Sequence, residues 1–491
     1  MSQHTKSIMI QGTMSNAGKS ILAAGLCRIF HQDGYRTAPF KSQNMALNSY
    51  ITPEGLEMGR AQAVQAEAAG IVPNADMNPI LLKPTTDVGS QVIVHGISRG
   101  NMKARDYFAC KKSLVPDIMA SYRRLEEQYD VIVIEGAGSP AEINLKTDDI
   151  VNMGMADMAD APVLLVGDID RGGVFAQLYG TVALLTEEER KRVKGLIINK
   201  FRGDISLFDE GRKIIHDLTG IPVVGVIPYF KDIYIEEEDS VSLETKNTKA
   251  GSGKINVAIV LLKRLSNFTD FSVLERDERF HAYYTNNVEE IGKADIIILP
   301  GTKNTISDLR NIRANGIAEA VIRAHKEGKK VIGICGGYQM MGARIEDPDQ
   351  IEGDMTAIPG LGILPLVTIM EPEKVTRQDQ FTFRNHPETC KGYEIHMGRT
   401  TLLDGAPEAP LNRLHDGRTD GYILNERCWG SYLHGILDND IVLNELAEGL
   451  TQASPTTFNY TDFKDQQYNK LADHVRAHVD LPYIYSTLKT K

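Results

Sequence analysis

Ile8-Met9-Ile10-Gln11 runs directly into Gly12-Thr13-Met14-Ser15-Asn16-Ala17-Gly18-Lys19-Ser20, and a helix-spaced apolar stretch over 20–30 follows at once. A short β-branched run, a glycine-bounded loop and a helix, in that order, predict the first strand, phosphate loop and first helix of a parallel α/β sheet. Backbone N–H groups of such a loop, with the helix N-terminus, form a cradle for anions. Lys19 is placed to reach the outer phosphates of ATP, and the Ser20 hydroxyl to hold Mg²⁺. The general pattern asks for glycine where Thr13 stands, with Gly12 one residue earlier. Gly12, Thr13, Ser15, Gly18, Lys19 and Ser20 are the candidate ATP-binding residues of this loop.

Further apolar runs at 131–134, 163–166 and 196–198 read as buried parallel strands of the same sheet. Functional groups of such sheets gather where the strands end. Glu135 ends one strand and is the expected second metal contact. Asp168-Ile169-Asp170-Arg171-Gly172-Gly173 follows another, bringing Asp168, Asp170 and Arg171 to the same edge as candidate substrate residues. Asn199 ends the next and is suited to hydrogen-bond a nucleotide base. Phe40-Lys41-Ser42-Gln43-Asn44-Met45 makes Lys41, Gln43 and Asn44 candidates for an amide- or carboxylate-rich substrate.

At 236–254 the chain turns charged and then rich in Ser, Thr, Gly and Lys, which reads as a linker. A second set of strand-like runs follows at 257–262, 296–299 and 331–334. The expected organisation is an ATP-binding α/β domain over 1–235, the linker, and a second α/β domain over 255–442. A helical tail over 443–491 is expected to pack on the second domain.

Gly333-Ile334-Cys335-Gly336-Gly337 has the strand-to-turn spacing of a nucleophile elbow. A thiol at a helix N-terminus is eased towards the reactive thiolate. The Gly336 N–H faces a developing oxyanion, and Gly301, in Pro300-Gly301-Thr302, offers a second donor. The nucleophile needs a base. His434 is the first candidate and His396 the rival.

The chain has 491 residues and a formal charge of −11. That balance argues against a nucleic-acid binder, which needs a basic face. Five cysteines without a CxxC pair argue against a disulfide framework or a zinc ribbon. No apolar run approaches a membrane span of about 18 residues. A cytoplasmic enzyme without nucleic-acid or membrane partners is expected; association into a homo-oligomer is left open.

The second half resembles the class I glutamine amidotransferases. That resemblance implies Cys335 as nucleophile, His434 as its histidine, Gly301 and Gly336 at the oxyanion, and Gln339 holding the substrate glutamine. The family's His-Pro-Glu reads His434-Gly435-Ile436 here, so the usual acid is missing and a dyad, or an acid such as Glu394, takes its place. The first half resembles the dethiobiotin-synthetase-like phosphate-loop enzymes. The two halves in this order, with FKSQNMALNS, GDIDRGGVFAQ and KGYEIHMGRT, resemble the cobyric acid synthase family. That resemblance implies amidation of the b, d, e and g carboxylates of a corrin polycarboxylate, with glutamine as ammonia donor and ATP hydrolysis. The related a,c-diamide synthases would share fold and chemistry with another substrate. A partition-type ATPase would carry an extra lysine near Thr13 and Met14, and none is present.

Overall fold

The computed structural model describes residues 5–86, 89–236, 246–353, 355–450 and 458–488. They divide into two units. In the first, six parallel strands lie in the spatial order Val223–Pro228, Val193–Phe201, Val163–Asp168, Lys6–Gly12, Val131–Glu135, Thr37–Phe40. The Lys6–Gly12 strand is central, and the chain passes from one of its flanks to the other. A crevice opens at such a switch point beyond the strand ends. The phosphate loop sits there, feeding the helix Lys19–Gln32. Ile8, Ile10, Val131, Val133, Leu164 and Val166 of the sheet pack against Leu22, Ala23, Leu26 and Phe30 of that helix, all essentially buried. This β-branched, two-sided burial is what the continuous apolar runs predicted.

The second unit also has a mainly parallel sheet, ordered Phe280–Thr285, Ile255–Val260, Ile296–Leu299, Lys330–Ile334, Cys428–Ser431, with Tyr422–Asn425 antiparallel at its edge. A long antiparallel ribbon, Leu366–Phe383 with Thr389–Leu402, adds a separate sheet. Sequence reading did not foresee it.

Three expected boundaries need correction. The expected tail divides: residues 443–450 belong to the second unit, as expected, but the rest does not pack there. Residues from Thr461 onward belong to the first unit, where Tyr468, Leu471, Ala472, Val475 and Ile484 join its core. Helix Lys19–Gln32 has Gly25 facing the tail, where a Cβ would come 2.9 Å from Val475 Cγ2. Arg28 pairs with Asp465 at 2.7 Å, and Lys464 and Tyr468 both bond Glu67. The tail's apolar stripe was legible, but the stripe alone does not say which core it completes. Of the expected linker, 237–245 lie outside the described residues. Residues 246–250 are built into the second unit: Tyr284 N–H donates to Asn247 O at 2.8 Å, and Lys246 pairs with Glu275 at 2.6 Å. A stretch expected within the first domain, 47–56, also belongs to the second unit.

Candidate active sites

The phosphate loop is shaped by close approaches. Gly18 caps the helix in the left-handed region, φ 100°, and a Cβ there would overlap the Asn199 side chain at 2.1 Å. A Cβ on Gly12 would meet Lys19 Nζ and Met14 O, each at 3.0 Å. Lys19 Nζ donates to Met14 O and Gly138 O at 3.0 and 3.1 Å, which holds the ammonium over the loop. Thr13 is anchored through its N–H to Val166 O and its hydroxyl to Gln177. Ser15 is exposed.

Ser20 Oγ donates to Glu135 Oε1 at 2.8 Å. Glu135 also receives the Lys41 ammonium on Oε1 at 2.7 Å, and Gln62 and Gln65 on Oε2 at 3.3 and 2.5 Å. Burial works against the charge of this carboxylate. The Lys41 ammonium and the hydrogen bonds outweigh burial and hold its pKa below the usual range. Ser20 and Glu135 offer hard oxygens side by side. That suits Mg²⁺, which takes one or two protein oxygens and completes its shell with phosphate and water. The Lys41 ammonium pairs with the same carboxylate.

The remaining first-unit candidates divide. Lys41 reaches the Glu135 cluster, and Asn44 is tied to it through Gln62 at 3.0 Å. Gln43 accepts from the Tyr107 hydroxyl. Asn199 Nδ2 donates to Ala17 O at 2.9 Å, while its buried Oδ1 has no hydrogen-bond partner. Asp168 is fully buried, its oxygens taken by the Asp170 N–H and by Lys200 at 2.8 Å. Asp170 is bound to Arg202, and Arg171 is exposed. Gln62 and Gln65, both fully buried polar groups on the helix Arg60–Ala68, went unnoticed in the sequence, where they look like ordinary helix residues.

In the second unit Cys335 joins the strand Lys330–Ile334 to the helix Gly336–Met341. Its φ of 51° and ψ of −111° are strained for a residue with a side chain. The flanking glycines permit the turn: a Cβ on Gly337 would come 1.9 Å from Leu299 O, and one on Gly333 2.6 Å from Met341 Sδ. Cys335 Sγ hydrogen-bonds Ile395 O at 3.6 Å. Gly301 lies against both residues: a Cβ there would be 2.9 Å from His434 Cε1 and 3.7 Å from Cys335 Cβ. Cys390 and Cys428 are pushed up to about 11 and 12 by burial, so they remain thiols.

The acid on His434 is Asp270. Its Oδ2 is 2.6 Å from His434 Nδ1, and its Oδ1 accepts the Gly435 N–H at 3.0 Å. The site is therefore neither a dyad nor completed by Glu394. Glu394 is engaged by Arg377 and by Arg418, and stands 3.8 Å from His396. His396 stacks on Tyr432 with ring centroids 3.7 Å apart, and its Nδ1 is within hydrogen-bonding distance of Gly398 O. Asp270 lies on the short turn Phe268–Phe271, between Thr269 and Phe271, after the first strand of the sheet. A carboxylate so placed was the available signal. Burial lowers the His434 pKa, but the Asp270 carboxylate and the Cys335 sulfur raise it further, to about 10. A cysteine set beside a hydrogen-bonded histidine–aspartate pair can attack a carbonyl carbon and shuttle the protons.

Gln339 is buried beside the elbow. It accepts from Thr305 Oγ1 at 3.0 Å and donates to Met397 O and Tyr432 Oη.

Residues 8–242 match the family described as the CobQ/CobB/MinD/ParA nucleotide binding domain, and 256–442 match the CobB/CobQ-like glutamine amidotransferase domain. A cobyric acid synthase of Parabacteroides distasonis is 64% identical, with 100% of each chain covered. The chain belongs to the cobyric acid synthase family. Cobyric acid synthases of Bacteroides fragilis and Lachnoclostridium phytofermentans are 58% and 52% identical, each with 99% of both chains covered. The family resemblance drawn from the motifs thus extends over the whole chain. As a cobyric acid synthase family member it is a glutamine-dependent carbon–nitrogen ligase of cobalamin biosynthesis that uses ATP. No helix among the described residues is long and apolar enough to cross a membrane.

Proposed function

We propose that the chain amidates the b, d, e and g carboxylates of (adenosyl)cobyrinic acid a,c-diamide, drawing nitrogen from glutamine at Cys335 and activating each carboxylate at the phosphate loop. The observation that carries this reading is the pairing, in one chain, of Cys335 beside the His434–Asp270 pair with Ser20 bonded to Glu135 in the phosphate loop that carries Lys19.

The Cys335 thiolate attacks the side-chain amide carbon of glutamine, with Gly301 and Gly336 N–H groups aimed at the oxyanion. The C–N bond breaks as His434 protonates the departing nitrogen, leaving a thioester and ammonia. Water, deprotonated by His434, then releases glutamate and restores the thiol. Asp270 keeps the imidazole in the required orientation and stabilises its charged form. Gln339 lines the pocket for the substrate glutamine.

A carboxylate has no leaving group that ammonia can displace. Transfer of the γ-phosphoryl group from ATP converts it to an acyl phosphate, and ammonia then displaces phosphate to give the amide. Lys19 and the loop N–H groups hold the phosphates. Ser20 and Glu135 would hold Mg²⁺, which when bound neutralises phosphate charge. Asn199 Oδ1 is an acceptor suited to the amino group of the base. Lys41, Gln43, Asn44, Asp168, Asp170 and Arg171 are the candidates for the corrin side chains; of these Arg171 is exposed, and the others are engaged by Glu135, Tyr107, Gln62, Lys200 and Arg202.

Cys335→Ala should abolish glutamine-dependent amidation and leave ammonia-dependent amidation intact. Lys19→Ala should do the reverse, keeping glutamine hydrolysis while stopping amidation from either source. Product masses from a corrin acid, ATP and glutamine check the substrate. Loss of both activities in folded Cys335→Ala protein would overturn the division of labour.

A further inference from the structure

The turn that carries Asp270 is held by a distant piece of chain. Residues 47–56 leave the ATP-binding unit after Ala46, pack as part of the glutaminase unit, and rejoin the first at Glu57. Asn48 and Ser49 are fully buried there. Asn48 Oδ1 accepts the Phe268 N–H at 3.1 Å, and the Ser49 N–H donates to Asn267 Oδ1 at 3.3 Å. Asn267, left-handed at φ 53°, donates from Nδ2 to the Tyr393 hydroxyl at 3.2 Å. The Tyr393 ring stacks on His434, with centroids 5.3 Å apart. Gln378 and Thr376 seat the rest of the segment by donating to Ile51 O at 2.6 Å and Gly55 O at 2.7 Å. Asn48 and Ser49 therefore grip the turn two to three residues before the acid of the triad.

The stretches that flank the segment, Lys41 before it and Gln62 and Gln65 after it, both reach Glu135. Asn78 donates to Lys41 O at 3.1 Å and accepts the Gly59 N–H at 2.9 Å, so one side chain clasps the chain before the excursion and after it. Lys41 sits on Glu135. The helix Arg60–Ala68, which begins directly after the excursion, carries Gln62 and Gln65 onto the same carboxylate. A cation taken up by Ser20 and Glu135 would compete with the Lys41 ammonium for Oε1. A ligand shifts a conformation only through contacts that differ between its states, and this is such a contact.

We propose that Asn48 and Ser49 are positioning residues for Asp270, and that segment 47–56 relays the state of the Glu135 cluster to glutamine hydrolysis. The proposal rests on the reading of the two sites given above. Asn48→Ala should lower glutaminase kcat about tenfold, since a misplacement of about 1 Å costs up to about 100-fold. Ammonia-dependent amidation should be unchanged. In the ligand-free protein, hydrogen exchange at the Phe268 amide should quicken in Asn48→Ala. Inserting Gly-Gly between Ala46 and Leu47 keeps the Asn48 and Ser49 contacts but slackens the connection. It should leave basal glutamine hydrolysis at the wild-type rate and remove its stimulation by ATP, Mg²⁺ and the corrin acid. An unchanged kcat in Asn48→Ala overturns the positioning role. Full stimulation in the insertion variant, or none in the wild type, overturns the relay. If Asn48→Ala does not fold, Asn48→Ser, which also withdraws the acceptor from the Phe268 N–H, and the insertion carry the test. Failure of the underlying reading shows separately, as loss of ammonia-dependent amidation in Cys335→Ala.

Discussion

Asp270 and His434 stand 164 positions apart in the chain and 2.6 Å apart in the fold. Asp270 stands on the short turn Phe268–Phe271, and His434 ends the short strand Leu433–His434. The acid that a class I glutamine amidotransferase keeps two residues beyond its histidine is here supplied from far upstream. The Gly435 N–H completes its hold on the carboxylate, so the acid fixes both the ring and the backbone beside it.

Asp270→Asn should therefore cut glutamine-dependent amidation by about 10³- to 10⁴-fold, as loss of a triad acid does elsewhere. Rates with ammonium chloride should stay near wild type. Parallel initial rates with the two nitrogen sources check this, and an Asp270→Asn enzyme that still used glutamine normally would return the acid's role to another residue.

The raised His434 pKa makes a prediction about stability. The folded value, about 10, exceeds the ordinary 6.5. Its stabilising contribution is complete below about 6.5 and disappears as pH rises through about 10. Melting temperature should fall across that window, and fall less in Asp270→Asn. Thermal unfolding followed in a pH series measures the difference.

Glu135→Gln should lower ATP-dependent amidation about 100-fold or more with either nitrogen source, the scale for losing a preorganised charge partner. Glutamine hydrolysis in the absence of ATP should persist. A coupled phosphate-release assay beside a glutamate assay separates the two.

Lys41→Met leaves the Glu135 carboxylate buried without its cation. Removing one partner of a buried pair costs about 3–5 kcal/mol. Urea denaturation monitored in the ATP-binding unit should show a lower midpoint, and Mg²⁺ should restore part of it.

Leu471→Ala tests where the tail belongs. Leu471 is fully buried in the core of the first unit. Its truncation should cost about 2–5 kcal/mol there, read as earlier loss of ATP-dependent activity on denaturant titration, with glutamine hydrolysis lost later.

Features that depend on neighbouring residues were legible in the sequence. The phosphate loop, the Cys335 elbow and the buried strands each announce themselves through local spacing, because a tight turn needs glycine and a two-sided strand needs a continuous apolar run. Ser20 and Glu135 could be paired in advance because parallel strands deliver their ends to one edge. What stayed hidden depends on distant segments meeting. Asp270 has no spacing relation to His434. Gln65 resembles any helix glutamine until Glu135 is seen against it, and the stripe of Tyr468, Leu471 and Val475 fits any apolar face. The ribbon Leu366–Phe383 also escaped notice, since its half-polar strands lack the dense β-branched runs of the buried sheets.

The discontinuous make-up of the first unit has a consequence for how the chain is born. Residues up to Ala46 and Glu57–Glu236 are translated early, yet the core they form is finished only by residues from Thr461 onward. A ribosome moving at about 5–20 residues per second must first extrude the whole intervening glutaminase unit. The nascent ATP-binding half therefore waits with the outer face of the helix Lys19–Gln32 uncovered, open to chaperones, until its last two helices arrive to close it.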